Sequence, residues 1–158
     1  MVRPSFRVQY LAYCASIEYL DPHRPYRNTI LNGVDFVFGV PPGTEFPFDP
    51  EEFWLFARFY STSDLTGDTR SMSIICYWLD SPTGEEEVEI WTRDIGPITF
   101  RRPHGVIDRN WVFRNPEGET TYRFPGPGRY AFKLGYAVDK WSHWRVKARE
   151  YISVEVQP

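Results

Sequence analysis

The clearest pattern in this chain is the alternation of apolar residues with polar or small ones after a Pro-Gly-Pro-Gly corner at 125–128. Tyr130, Phe132, Leu134, Tyr136 and Val138 share one parity. A period of two is typical of a half-buried β-strand. In the corner, the prolines fix φ and the glycines can take positive φ. The pattern therefore predicts a turn between two strands.

Strand-like apolar patterns also occur elsewhere along the chain. They cover 6–17, 30–40, 53–60, 72–79, 88–92, 95–100, 106–114, 120–124 and 144–156. At 49–56 the sequence Asp49-Pro50-Glu51-Glu52 would also suit the first turn of a helix, but a strand is favoured. No other segment has a helical period. The pattern predicts an all-β fold, a two-layer antiparallel sandwich of immunoglobulin-like or jelly-roll-like type with about nine strands, as a single domain over 1–158.

Three local features refine this prediction. The proline-rich segment 41–50 cannot be a central strand, and we expect it to wrap an end of the sheet. The acidic run 85–89 suits a solvated edge strand, where charge opposes edge-to-edge pairing. Cys14 and Cys76 lie within apolar strand patterns and outside any metal-binding spacing, so buried free thiols are expected.

Charge and hydropathy exclude some classes of partner. The 158 residues include 18 basic and 21 acidic ones, and the net charge of −3 gives no overall field that attracts nucleic acid or anionic lipid. No stretch approaches the roughly 20 apolar residues of a membrane span. The N-terminal sequence has no signal-peptide pattern. We expect a cytoplasmic protein.

Motifs for catalysis or metal binding do not stand out. There is no Gly-x-Ser-x-Gly elbow and no metal-ligand spacing, and His23, His104 and His143 are scattered. Asp94, Asp108 and Glu117 would need to converge in space to act as an acid pair. The sequence predicts a non-enzyme without cofactor or metal. A small hydrolase whose site assembles from distant residues is an alternative.

Two features suggest binding instead. In the last strand, Arg145, Lys147 and Arg149 share the parity opposite the apolar set, which predicts a cationic face for an acidic partner or a phosphate backbone, with Arg101 and Arg102 as candidate neighbours. Aromatic surface at four tryptophans exceeds what one core needs; these are Trp54, Trp91, Trp141 and Trp144. The predicted contact surface comprises Trp141, Trp144, Arg145, Lys147 and Arg149.

Several short motifs resemble a family of small bacterial β-sandwich proteins known only as a domain of unknown function. The matching segments are 9–14 (QYLAYC), 32–34 (NGV), 46–47 (FP), 56–58 (FAR), 127–132 (PGRYAF) and the ending strand 152–156. The resemblance implies the sandwich fold and a bacterial, cytoplasmic setting. It implies no catalytic residues.

The sequence thus predicts a non-catalytic module that binds another protein through a sheet face, an edge strand or the end loops, including self-association through an edge strand. A carbohydrate-binding sandwich is a second alternative, because exposed tryptophans stack on sugars. Neither a membrane nor nucleic acid is expected as the partner.

Overall fold

The computed structural model describes residues 6–19, 29–32, 34, 37–62, 66–138 and 143–158. Within these ranges the protein is all-β, without a helix. Twelve strands follow one another: β1 Phe6–Cys14, β2 Ser16–Tyr19, β3 Thr29–Asn32, β4 Val37–Val40, β5 Glu52–Ser61, β6 Gly67–Asp68, β7 Met72–Trp78, β8 Val88–Gly96, β9 Thr99–Phe100, β10 Val106–Arg114, β11 Gly128–Ala137 and β12 Trp144–Val156.

Two larger sheets carry the fold. One has three strands in the order β1-β5-β10, and the other has five in the order β4-β12-β11-β7-β8. Two short two-stranded sheets, β2-β3 and β6-β9, accompany them. All pairings are antiparallel except β4 with β12, which run parallel. The expectation of a purely antiparallel fold is therefore wrong at this one edge.

The two larger sheets share one aromatic core, which gives a sandwich-like arrangement. Phe53 of the three-stranded sheet lies with its ring centroid 5.7 Å from that of Phe132 in the five-stranded sheet, and 6.4 Å from that of Trp91. Tyr13 stacks on Phe132 across the same gap at 6.3 Å. Alternation places these rings on the inner faces, since every second residue of a strand faces the core.

The sandwich has two ends, and its topology places different connections at each. At one end Phe6, which begins β1, packs against Phe59 of β5, Phe100 of β9 and Tyr136 of β11. We call this end the loop pole; it carries the connection 97–105, and the described residues 66–71, 138 and 143 lie there too. The opposite end, the corner pole, carries the connections 79–87 and 115–127.

The predicted strands are recovered with different boundaries. The predicted first strand, 6–17, divides into β1 and β2, and the predicted strand at 95–100 contributes to the end of β8 and to β9. Segment 120–124 forms only an isolated bridge, Phe124 with Phe48. The structure therefore has more and shorter strands than the nine predicted. The region at 49–56 is strand from Glu52 onward, as favoured.

The three local predictions are confirmed. Segment 41–50 lies at the corner pole, where Phe48 bridges Phe124 and where Phe46 and Phe48 pack half-buried against the core. Strand β8, which begins within the acidic run, is an edge strand of the five-stranded sheet. Cys14 and Cys76 are free and buried, and burial raises the pKa of the Cys14 thiol to about 11.

Candidate functional site

A β-bulge divides the predicted cationic face of β12. Ala148 pairs with Leu134 of β11, whereas Val146 pairs with Gly135, so Lys147 is an extra residue on β12. Arg149 lies opposite Lys133 and Arg145 lies opposite Tyr136. Because Lys133 and Tyr136 differ in parity along an unbulged strand, Arg145 and Arg149 lie on opposite faces of the sheet. The prediction that the three cations share one face is wrong for this reason.

The remaining residues of the predicted surface occupy different environments. The Lys147 Nζ lies 4.6 Å from the ring centroid of Phe6, and desolvation, followed by the charges of Arg145 and Arg7, lowers the pKa of this lysine. Arg145 is exposed, and Trp144 is half-buried with its indole nitrogen unpaired among the described residues. Trp141 lies outside the described residues. Except for Arg149, the described members belong to the loop pole.

The loop pole gathers cations from five separate stretches of sequence. They are Arg7, Arg70, Arg101, Arg102, Arg109, Arg145 and Lys147. The carboxylates of described residues at this pole are Asp68, which accepts a 2.6 Å hydrogen bond from Thr99, and Asp94, which accepts one from Ser73. Asp108, next to Arg109 on β10, is already paired with Arg58. No ion pair joins a carboxylate of the described residues to any of the seven cations. The pole therefore carries a local positive excess in a chain whose net charge is negative.

Four cations nearer the corner pole have carboxylate partners. Arg129 Nη2 lies 2.7 Å from Asp80 Oδ1, and Lys133 Nζ lies 2.7 Å from Glu87 Oε1. Arg114 and Arg123 lie within 4.0 Å of carboxylates of Glu52 and Asp49. The two ends thus carry excess charge of opposite sign. The net charge of the whole chain does not show this difference.

A groove of about 480 Å³ opens at the loop pole beside the start of β10. Its lining residues include Val106, Ile107 and three arginines, Arg101, Arg102 and Arg109. Phe100 also contributes to the lining, but it is buried in the core. No carboxylate of the described part of the chain lines it. Arginines and apolar residues are therefore available to one ligand.

The turn that carries two of these arginines is held by backbone hydrogen bonds. Gly105 N donates to Arg102 O at 3.2 Å, which closes a turn with Pro103 and His104 at its centre. A type II turn requires a positive φ at its third position, and His104, which occupies that position, has a φ of 53°. Ser61 N donates to Gly105 O at 3.0 Å and fixes the turn to β5. The groove wall is therefore preorganised.

The groups weighed for catalysis do not converge. Asp108 accepts a bidentate pair of hydrogen bonds from Arg58 on the outer face of the three-stranded sheet. Asp94 lies at the loop pole, and Glu117 lies in a connection at the corner pole. His104 and His143 are exposed, and His23 lies outside the described residues. The described residues contain no group of three or more side chains that would hold a metal ion.

The tryptophans are divided between core and surface. Trp91 is a buried core residue. Trp54 is half-buried on the outer face of β5, where its indole nitrogen donates to Glu52 Oε1 at 3.0 Å. Among the described residues, the predicted aromatic surplus is therefore partly core packing.

Sequence reasoning missed Arg7, Arg70 and Arg109 as members of the loop pole. These residues are up to about a hundred positions apart. The pairing of β1, β5 and β10 brings Arg7 and Arg109 to one end, where Arg70 donates hydrogen bonds to the carbonyl oxygens of Ala137 and Val138. Arg109 lies within an ordinary strand pattern, which gives no sign that this residue belongs to a cationic group. No local motif marks such a group.

Comparisons with known proteins give limited information. No family model matches the chain and no curated protein matches its sequence, which is consistent with the resemblance to a family of unknown function. Solved structures with partial similarity include the alkylpurine DNA glycosylase AlkC of Pseudomonas fluorescens, bound to DNA containing an abasic site analog. It has a TM-score of 0.49 at 10% identity over 96% of this chain and 31% of that one.

Two β-glucosidases give similar values. The GH3 enzyme of Bifidobacterium adolescentis has a TM-score of 0.49 at 8% identity, over 98% of this chain and 18% of that one. The enzyme of Kluyveromyces marxianus in complex with glucose has a TM-score of 0.46 at 12% identity, over 66% and 12%. This chain spans less than a third of the length of each of the three proteins. Likeness at this level does not extend to activity, so their reactions are not carried over.

The described residues form no helix that is long and apolar enough to cross a membrane.

Proposed function

We propose that this chain is a non-catalytic module that binds another protein, and that the contact is made at the loop pole by an acidic segment of the partner. The observation that carries the proposal is the positive excess at this pole, with Arg101, Arg102 and Arg145 exposed and unpaired with any carboxylate of the described residues. Exposed cations without intramolecular partners steer and orient a charged partner.

We further propose that the sandwich is of immunoglobulin type. The order β1-β5-β10 corresponds to strands A, B and E, and the order β12-β11-β7-β8 corresponds to G, F, C and C′. Tyr130, near the start of β11, donates its hydroxyl to Gly126 O and accepts from Gly126 N, as in the tyrosine corner of that fold. In this type the connections of the loop pole correspond to the end where variable domains bind antigen.

The module proposal is tested by capture with charge-reversed variants. Tagged wild type, Arg101→Glu/Arg145→Glu and the control Arg114→Glu are incubated with native lysate, and bound proteins, nucleic acid and glycans are read out together. We expect a protein to be captured by wild type and by the Arg114→Glu control but not by the Arg101→Glu/Arg145→Glu variant. Added salt should release this protein.

A photo-crosslinker placed at Arg102 or at Glu117 then locates the contact. Crosslinking of the captured protein from position 102 but not from 117 supports the assignment. Capture that is unchanged by charge reversal at the loop pole would refute it, and recovery of glycan alone would favour the carbohydrate-binding alternative.

A further inference from the structure

The arginine groove combines two features that a ligand must match together. Three arginines, from the turn at 101–105 and from β10, line it together with two apolar residues of β10, Val106 and Ile107. Val106 is 54% exposed, so its apolar surface is open to a ligand, whereas Phe100 is buried in the core. A ligand that fills the groove therefore presents a concentrated negative charge next to an apolar body.

The number of arginines favours a phosphoryl group over a carboxylate. A single guanidinium satisfies both oxygens of a carboxylate in a bidentate pair, as Arg58 does with Asp108 in this protein. A phosphate monoester has three terminal oxygens and about −1.5 to −2 charges at neutral pH, and it therefore engages several arginines at once.

The size and surroundings of the groove favour a single phosphorylated side chain over a nucleic-acid strand. A volume of about 480 Å³ lies within the range of sites that enclose one small ligand. Away from the loop pole the surface is rich in carboxylates, such as the run at 85–89, and these repel an extended polyanion.

We propose that the arginine groove binds a phosphorylated aromatic side chain of the partner protein, with the phosphoryl group held by Arg101, Arg102 and Arg109 and the ring against Val106 and Ile107. This inference rests on the proposed function, since it specifies the acidic segment that the loop pole recognises.

The preorganised turn contributes to selectivity. Backbone hydrogen bonds join Gly105 to both Arg102 and Ser61. The turn therefore loses little conformational freedom when a ligand binds. Asp68, the carboxylate on the strand that pairs with β9, is engaged by the hydroxyl of Thr99. Neither arginine of the turn has to release an intramolecular carboxylate of the described residues before it binds a ligand.

The test uses isothermal titration calorimetry of the full chain with matched peptides. The probes are one short glycine-flanked peptide containing phosphotyrosine, the same peptide with phosphoserine, the same peptide with unmodified tyrosine, and a single-stranded oligothymidylate. We expect the affinity to be highest for the phosphotyrosine peptide, lower for the phosphoserine peptide and lowest for the tyrosine peptide. The oligonucleotide should bind no more tightly than the phosphotyrosine peptide.

Variants then assign the contact. Arg102→Gln and Arg109→Gln are each expected to weaken phosphotyrosine binding by about tenfold or more, because a hydrogen bond to a charged group is lost. Arg102→Lys keeps the charge but loses the bidentate fork, and it should also weaken binding. Arg114→Gln, at the corner pole, is the matched control and should leave affinity unchanged. Circular dichroism establishes that each variant is folded.

Equal binding of the tyrosine and phosphotyrosine peptides, or binding insensitive to Arg102 and Arg109, would overturn the inference. Preference for the oligonucleotide would overturn it in favour of nucleic acid. If capture of the partner is lost on charge reversal while the phosphotyrosine peptide does not bind, this inference fails and the module proposal stands.

Discussion

The two poles of the sandwich use arginine in opposite ways. At the corner pole Arg129 donates to both oxygens of Asp80, and the backbone nitrogen of Arg129 donates to the same carboxylate at 2.7 Å. At the loop pole Arg101 and Arg102 are exposed and have no carboxylate partner among the described residues. One end therefore uses charge to fasten a turn, while the other leaves charge available to a partner. Residue type alone does not distinguish the two roles.

The largest expected effect on stability comes from removing the buried hydrogen bonds of the Tyr130 hydroxyl at the corner pole. In Tyr130→Phe, the backbone N–H and C=O of Gly126 lose their hydroxyl partner in a buried site. An unsatisfied buried polar group costs about 1–3 kcal/mol, so we expect a loss of about that size in the free energy of unfolding. Chemical denaturation measures it.

Tyr151→Phe is the matched control, because Tyr151 is 51% exposed. It should leave the free energy of unfolding unchanged, and neither variant should alter partner capture at the loop pole. Equal stability of Tyr130→Phe and wild type would contradict the proposed tyrosine corner.

The contact between β1 and β12 gives a second prediction, about pH. Glu150 lies opposite the core residue Phe132, and desolvation raises its pKa despite hydrogen bonds from Tyr13 N and Tyr151 N. A raised pKa means that the folded state favours the protonated form. This residue therefore contributes most to stability below its unfolded pKa, near 4.5, and less as pH rises through its folded pKa.

Glu150→Gln should remove this dependence. We expect the difference in unfolding free energy between pH 4 and pH 7 to change in the variant, with Gln at least as stable as Glu at pH 7. A pH profile identical to that of wild type would show that Glu150 does not titrate as described.

At the corner pole the sign of the pH effect is reversed. Hydrogen bonds from the side chain and then the backbone of Arg129 lower the pKa of Asp80 from 3.8 to about 2. Its contribution to stability is therefore present above pH 3.8 and is lost as pH falls through about 2. NMR titration of the Asp80 carboxyl measures this directly. Arg129→Gln should return the pKa toward its ordinary value, and an unchanged pKa would refute the pairing.

The smallest effects compare one arginine from each pole. Arg114→Gln removes an exposed pair with Glu52 at 3.6 Å and should lower stability by about 0.2–1 kcal/mol. Arg101→Gln removes an unpaired cation from a positive region, and stability should stay within about 0.5 kcal/mol or rise slightly. Thermal unfolding of the two variants at low salt compares them. A larger loss for Arg101→Gln than for Arg114→Gln would show that Arg101 has a structural partner.

Alternation along the chain was enough to predict the all-β class and most of the longer strands, but not their order in the sheets. The pattern at 128–138 anticipated β11, and the acidic run at 85–89 anticipated an edge strand, because both depend on local periodicity and charge. The short strands β2, β3 and β9 were predicted only as parts of longer strands, and β6 was not predicted, since two to four residues carry too little periodicity. The parallel pairing of β4 with β12 has no local signal either.

The candidate site was predicted less well, for two physical reasons. The single extra residue at Lys147 inverts the faces of β12 on either side of it, and a strict period of two cannot reveal such a bulge. The loop pole also assembles residues from five stretches of sequence, so its charge is visible only after the strands are paired. Arg101, Arg102 and Arg145 were named from sequence, but their relation to Arg109 and to the groove was not.

The central claim is that the loop pole is the binding surface. NMR titration of the isotope-labelled protein with the phosphotyrosine peptide tests it most directly, because each backbone amide reports its own environment. The account predicts that the amides which shift are those of 99–109 and of the residues in contact with them, Phe6, Tyr60 and Ser61, and that salt weakens the effect. Shifts confined to the corner pole, at 79–87 or 115–127, would contradict it.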